Sequence, residues 1–281
     1  MNDVGAVRAA LRAYDVDAVL HFAAWLSVGE SVADPIGYYR NNVRGTLSVL
    51  EAMVAESVER FVFSSTAATY GEPRETPITE SHPQVPINPY GQSKLAVEQA
   101  LPHFERAYGL RSIVLRYFNA AGADLDGELG EEHDPETHLI PRMIDAARGG
   151  PPLEVFGADY PTPDGTCLRD YVHVTDLADA HVLALAALDR GSPSSTYNLG
   201  NGQAYSVREV IAAVERVIGR QVPRREAPRR PGDPAVLWAS SARIRAELGW
   251  RPRHADLETI VGTAWRWRVN HPDGFGPGGP S

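Results

Sequence analysis

The segment Arg60-Phe61-Val62-Phe63-Ser64-Ser65-Thr66-Ala67-Ala68-Thr69-Tyr70-Gly71 begins as a short buried strand and runs into small hydroxyl residues. Phe61 to Phe63 supply the apolar run of that strand. In an open α/β sheet, ligands bind outside the carboxyl ends of the strands. Ser65 and Thr66 fall at such an end. The plainer reading is an ordinary hydroxyl-rich turn. A second segment, Asn88-Pro89-Tyr90-Gly91-Gln92-Ser93-Lys94, starts a helix: Asn88 can cap it and Pro89 suits its first turn. Tyr90 and Lys94 then lie one turn apart on the same face. An ammonium beside a phenol favours the phenolate and lowers its pKa, which suits a general base near neutral pH. The bare Tyr-x-x-x-Lys pattern is common, and its bland reading is a half-exposed helix. A hydroxyl, a tyrosine and a lysine meeting at a strand end would form a proton-transfer group.

Around these segments helix and strand alternate. Helix 6–14 leads to strand 18–22, helix 35–56, strand 60–64, helix 89–108 and strand 112–117. That order predicts an α/β fold with a Rossmann-like, doubly wound parallel sheet. Residues 121–168 are rich in Gly, Pro and acids, with a helix near 139–149 and a strand at 153–156. A strand and a helix follow over 169–190, then helices near 206–219, 240–247 and 256–269. The expected organisation is a Rossmann-like domain of 1–120 plus 169–195, a smaller α/β lobe of 121–168 plus 196–269, and a disordered tail of 270–281.

A chain of 281 residues can bury a sizeable core. Its 43% hydrophobic and 22% charged content are those of a globular protein. A net charge of -9 argues against a nucleic-acid partner. The single cysteine, Cys167, excludes an internal disulfide and fits a reducing cytoplasm. The sequence has neither the long apolar run of a membrane helix nor the apolar core of a signal peptide. The nine histidines read as scattered, with no metal-ligand spacing and hence no metal expected.

From Asp17 to about Pro272 the chain resembles the extended short-chain dehydrogenases/reductases, and within them the UDP-glucose 4-epimerase family. The motifs that carry this include His21-Phe22-Ala23-Ala24, Tyr38-Tyr39-Arg40-Asn41-Asn42-Val43, Arg116-Tyr117-Phe118-Asn119, Arg169-Asp170-Tyr171-Val172-His173-Val174 and Pro228-Arg229-Arg230-Pro231-Gly232-Asp233, besides the two segments above. Many motifs in one order are far more specific than any one. The family opens with a strand, a glycine-rich turn for the pyrophosphate and an acidic residue for the adenosine ribose. Here Met1 to Tyr14 read instead as an amphipathic helix. About two βαβ-scale pieces are thus expected to be missing, roughly 60 residues at ~30 per unit. Either the start is misplaced or the chain is a fragment or decayed copy. Their loss would leave the Val19–Phe22 strand as an apolar edge.

The resemblance implies NAD-dependent 4-epimerisation of UDP-glucose and UDP-galactose through a 4-keto sugar. It implies Tyr90 as the base for the sugar O4 proton, Lys94 as its partner and a holder of the nicotinamide ribose, and Thr66 as a hydrogen-bonding group at O4. NAD would also meet Phe22, Ala23, Ala24, Trp25, Leu26, Asn41 and Phe118. Some family members carry a lysine where Leu26 stands. The UDP-sugar would meet Asn119, His138, Leu139, Glu154, Val155, Phe156, Arg169, Arg230, Asp233 and Leu237. Arginine suits this task through bidentate contacts to phosphate, whereas Arg224 and Arg225 read as solvated and Phe156 could be plain core. Ala67 and Ala68 follow Thr66 where dehydrating and decarboxylating relatives carry an acid. Leu237 holds a position whose size limits the sugar C2 substituent, so plain UDP-hexoses are expected ahead of N-acetylated ones. The alternatives are another nucleotide-sugar epimerase, such as one for UDP-N-acetylglucosamine, or a non-catalytic remnant that binds UDP-sugar. Relatives pair helices 35–56 and 89–108 in a four-helix interface, which makes a homodimer the default.

Overall fold

A computed structural model of the chain describes residues 1–230 and 233–276. Its strands are β1 Ala18–His21, β2 Arg60–Thr66, β3 Arg111–Tyr117, β4 Asn119–Ala121, β5 Leu153–Phe156, β6 Leu168–Arg169, β7 Tyr171–His173, β8 Ser195–Leu199, β9 Tyr205–Ser206, β10 Arg224–Ala227 and β11 Val236–Leu237. Its α-helices are α1 Val4–Ala13, α2 Val28–Ala33, α3 Pro35–Tyr38, α4 Gly45–Ala55, α5 Pro89–Tyr108, α6 Leu139–Ala147, α7 Val174–Asp189, α8 Val207–Ile218, α9 Ala242–Glu247 and α10 Leu257–Asn270.

One compact unit comprises Met1–Tyr117, Asp179–Leu199 and Ser240–Trp250. Its parallel sheet has the order β1-β2-β3-β8, with Phe61 opposite Val19 on one side and Ser112 on the other. The apolar run of β2 is buried because both of its faces are covered. Leu50 and Met53 of α4 and Leu101 of α5 pack with Phe61 and Phe63, and α1 adds Leu11 to the same core. α5 has the span expected from sequence. Asn88 accepts from the Gly91 amide at 2.8 Å, Pro89 holds the first turn, and Gly109 ends the helix at a positive φ of 72°.

The single helix expected over 35–56 is broken. α3 passes into a π-helical turn over Tyr39–Arg44 before α4 resumes. The Thr46 hydroxyl takes the Asn42 carbonyl at 2.6 Å, and the buried Asn42 amide bonds both the N–H and the C=O of Trp25. A side chain that occupies a helical carbonyl widens the turn locally.

The second unit comprises Phe118–Ala178, Gly200–Ala239 and Arg251 onward. α6, α8 and α10 pack around Ile140, Ile144, Val210, Val214 and Ile260. α8 opens with a reciprocal capping box between Ser206 and Glu209. Short pairings β4-β7, β5-β10 and β11-β6-β9 complete the unit. They move two boundaries from those expected. Residues 169–178 belong here, because β6 and β7 pair with strands of this unit. Residues 240–250 belong to the first unit, where the Tyr197 hydroxyl of β8 donates to Glu247 of α9 at 2.7 Å. The expected disordered tail also starts too early. Asn270 ends α10, and the Phe275 ring lies 4.7 Å from that of Trp267. Residues 277–281 of that expectation lie outside the described residues.

His21, at the end of β1, is buried with its Nε2 2.9 Å from Thr46 Oγ1 and its ring stacked on Phe61 and Phe63. Burial, and next the Lys94 charge, push its pKa down from 6.5 to about 4. Between those values the unfolded chain binds a proton that the native ring refuses, so stability falls as pH drops through that window. The loss amounts to about 3 kcal/mol at ~1.4 kcal/mol per pKa unit. Urea unfolding of the wild type and of His21→Leu at both ends of the window checks this. The wild type should lose that much more than the variant, and equal slopes would refute the assignment to His21.

Candidate active site

In the first unit, three consecutive residues at the end of β2 are each held by a residue of α5. Tyr90, Lys94 and Glu98 follow one another at single-turn spacing down one helix face. Tyr90 lies against the Thr66 side chain, whose hydroxyl favours its phenolate. Lys94 Nζ donates to the Ser64 carbonyl at 2.8 Å and lies 5.0 Å from the Phe63 ring centre. Glu98 accepts a hydrogen bond from the Ser65 hydroxyl and forms a buried ion pair with Arg116 of β3. Gly91 makes the close approach possible, because a Cβ there would sit 2.4 Å from the Ala68 carbonyl oxygen. The structure therefore brings Thr66, Tyr90 and Lys94 together, as the spacing suggests.

The electrostatics correct one expectation. Burial raises the Tyr90 pKa, and the Thr66 hydroxyl beside it is what counters the rise. The expected depression by Lys94 is not the controlling effect, because the ammonium is turned onto the Ser64 carbonyl. Burial also lowers Lys94 itself to about 8, against the pull of Glu98. Tyr117, which bonds the Ser64 hydroxyl, is pushed up to about 12 by burial.

The run after β1 is apolar and bare: Phe22, Trp25 and Leu26 are 55%, 48% and 42% exposed. Ala23 and Ala24 lie between them, and Phe22 packs against His181 with ring centres 4.6 Å apart. An exposed apolar wall in the unit that carries a buried lysine and tyrosine fits a ligand with a flat ring and a polar end, as NAD has. Asn41, half-buried, donates to Asn42 Oδ1 at 3.0 Å. Sequence reading missed Asn42, which fixes the Trp25 backbone and also donates to Ser93 Oγ on α5 at 3.1 Å. Its place beside Asn41 in the Tyr38–Val43 motif was the available signal.

The second unit gathers another set. Arg169 pairs with Asp233, and the Asp233 amide donates to the Arg230 carbonyl at 3.3 Å. The Arg230 guanidinium lies 3.8 Å from the Phe156 ring centre, so Phe156 is a platform for a cation as well as a packing residue. Asn119 donates from its side chain to the Asp170 carbonyl at 2.8 Å. Leu237 is half-buried on β11, opposite Arg169 of β6. Val155 is core, and the Glu154 carboxylate is engaged by Arg225 at 2.8 Å. Arg224 pairs with Glu215, so both arginines read as solvated take carboxylate partners. His138 and Leu139 stand at the start of α6, where His138 faces Glu131 and Glu136. Phe118, half-buried, belongs to this unit rather than to the one with the other expected cofactor residues.

The profile of the NAD dependent epimerase/dehydratase family matches residues 1–200, and the chain belongs to that family. It is 51% identical over 262 residues to the UDP-glucose 4-epimerase of Lacticaseibacillus casei, covering 93% of this chain and 79% of that one. The structure of UDP-glucose 4-epimerase from Brucella ovis in complex with NAD matches with a TM-score of 0.92 and 51% identity, over 94% of this chain and 82% of that one. The structure of the Bifidobacterium longum UDP-glucose 4-epimerase in complex with NAD+ and UDP matches with a TM-score of 0.91 and 40% identity, over 98% of this chain and 82% of that one. Among the described residues, no helix is long and apolar enough to cross a membrane.

Thr66→Val removes the hydroxyl that opposes the effect of burial on Tyr90. The Tyr90 phenol should then titrate at higher pH. Ultraviolet difference titration of wild type and Thr66→Val, with Tyr90→Phe marking the signal, reads the shift, and an unchanged midpoint would show that Thr66 does not set it.

Proposed function

We propose that this chain binds NAD and interconverts UDP-glucose and UDP-galactose by inversion at sugar C4. The observation that carries the reading is that Thr66, at the end of β2, sits against Tyr90 on the face of α5 that also holds the buried Lys94. The names of the relatives support the substrate. NAD, when bound, serves as the reversible oxidant of the sugar at C4.

The chain's own residues would handle the proton and the positioning. Tyr90 takes the O4 proton as the 4-keto sugar forms, and returns it after the sugar has turned over. Thr66 holds O4 and stabilises the developing phenolate. Burial makes that phenolate costly in the free protein, so a cation near it lowers the cost; Lys94 is the resident one and the oxidised nicotinamide would bring another. Phe22, Ala23, Ala24, Trp25, Leu26, Asn41 and Phe118 would hold the cofactor. Arg169, Arg230 and Asp233, with Asn119, would hold the diphosphate and the uridine ribose. His138, Leu139, Glu154, Val155 and Phe156 would line the uridine end, and Leu237 the sugar C2 side.

Tyr90→Phe should lower epimerase turnover by about 10²–10⁴-fold, the usual worth of a positioned base, while leaving the NAD released on denaturation unchanged. Retained turnover would overturn the role of Tyr90, and absence of NAD from the wild type would overturn the cofactor reading. In a sugar panel the plain UDP-hexoses should turn over faster than the N-acetylated pair because Leu237 is of intermediate size. The reverse order would mark the chain as a UDP-N-acetylglucosamine 4-epimerase.

The chain would act as a cytoplasmic homodimer. Its one cysteine is free and buried, which suits a reducing compartment, and cell fractionation reads the location directly. Ile36 of α3 and Tyr39 of the π-helical turn are 70% and 42% exposed, apolar surface that a second copy would cover. Sedimentation velocity should give a dimer that Ile36→Glu weakens. A wild-type monomer would refute it.

A further inference from the structure

The loop before α6 carries a cluster of which only His138 has a part in the proposed function. Glu131, His133, Glu136 and His138 each offer one ligand-type atom, and those atoms all lie within 4.8 Å of one another. His133 Nδ1 is 3.3 Å from Glu131 Oε1 and 3.5 Å from Glu136 Oε2. His138 Nδ1 also contacts Glu131 Oε1 and is 3.7 Å from Glu136 Oε1. Both imidazoles therefore face both carboxylates. We propose that these four residues form a binding site for a divalent transition-metal cation, with zinc the preferred ion.

Two features favour a metal over a plain group of ion pairs. First, a tetrahedral zinc with ligands at ~2.0–2.1 Å has its ligand atoms about 3.3 Å apart; three of the four imidazole–carboxylate separations, at 3.3, 3.5 and 3.7 Å, are close to that, and the fourth, His138 to Glu131, is a closer contact. Second, one of the carboxylates is held by the loop's own backbone: the amides of Thr137 and His138 both donate to Glu136 Oε1 at 2.8 Å. Two carboxylates and two neutral imidazoles balance a 2+ charge. Nitrogen and oxygen donors without thiolate suit zinc among the divalent ions of the first transition row. A metal here would clamp the loop that leads into α6.

The test uses metal content and spectroscopy, so it stands apart from turnover. The full chain is stripped with chelator, loaded with Zn2+, passed through gel filtration and analysed for metal. The same chain is titrated with Co2+. About one zinc per chain should be retained, and Co2+ should give the intense visible bands of a four-coordinate site. His133→Asn and Glu136→Gln should each weaken zinc binding by at least about tenfold, with circular dichroism confirming that each variant is folded. Equal zinc retention by wild type and both variants, no retention by any of them, or a weak six-coordinate cobalt spectrum would overturn the site.

Discussion

The buried pair of Glu98 and Arg116 is the constraint on which the first unit turns. Both side chains are almost fully enclosed, and burying two charges is repaid only when their geometry is good and their remaining valences are met. They are met here. Glu98 also accepts from Gln84 at 2.9 Å, and Arg116 donates to the Tyr70 hydroxyl at 2.8 Å. Tyr70 donates on to Asn198 of β8 at 2.7 Å, and Asn198 in turn bonds the Ile78 carbonyl. One charge pair thus ties α5 to β2, β3 and β8. Because Glu98 lies two turns below Tyr90 on the same face, fixing Glu98 fixes where Tyr90 meets the sheet.

That arrangement explains why Lys94 can be buried at all. A lone ammonium in the core would shed its proton. Lys94 has the Ser64 carbonyl as an acceptor, the Phe63 face beneath it and the negative Glu98 one turn away. Down the helix face the order is a phenol, a cation and an anion. The anion is largely committed to Arg116, so the cation keeps most of its field for whatever forms near it. Had Glu98 been free to pair with Lys94, that field would have been cancelled before any phenolate arose.

Much of this was legible in the sequence, for reasons that are local. α5 could be bounded because its cap, its first-turn proline and its terminal glycine are adjacent in the chain to the turns they govern. The strand Phe61–Phe63 could be read because burial on both faces leaves a plain apolar run. Reading failed where a distant partner decides. The π-helical turn depends on Asn42 finding the Trp25 backbone, and nothing in the spacing of 35–56 announces that contact. The unit boundaries depend on two- and three-residue strands, too short to show a period. The Tyr90 pKa depends on how deeply the phenol is buried and on which way Lys94 turns, and helical spacing specifies neither.

The Glu131-x-His133-x-x-Glu136-x-His138 spacing shows the same limit from the other side. On a helix such spacing would spread the four side chains around the axis, so periodicity gives no reason to group them. In a loop the backbone path decides, and here it folds the four donors inward just before α6 begins. The chain spends two glutamates and two histidines within eight residues on one cluster. Like charges drawn that close repel unless a cation lies between them. Protons on the histidines could supply that charge, and a metal would supply it from one centre. The separation of the donors, rather than their identity, distinguishes the two.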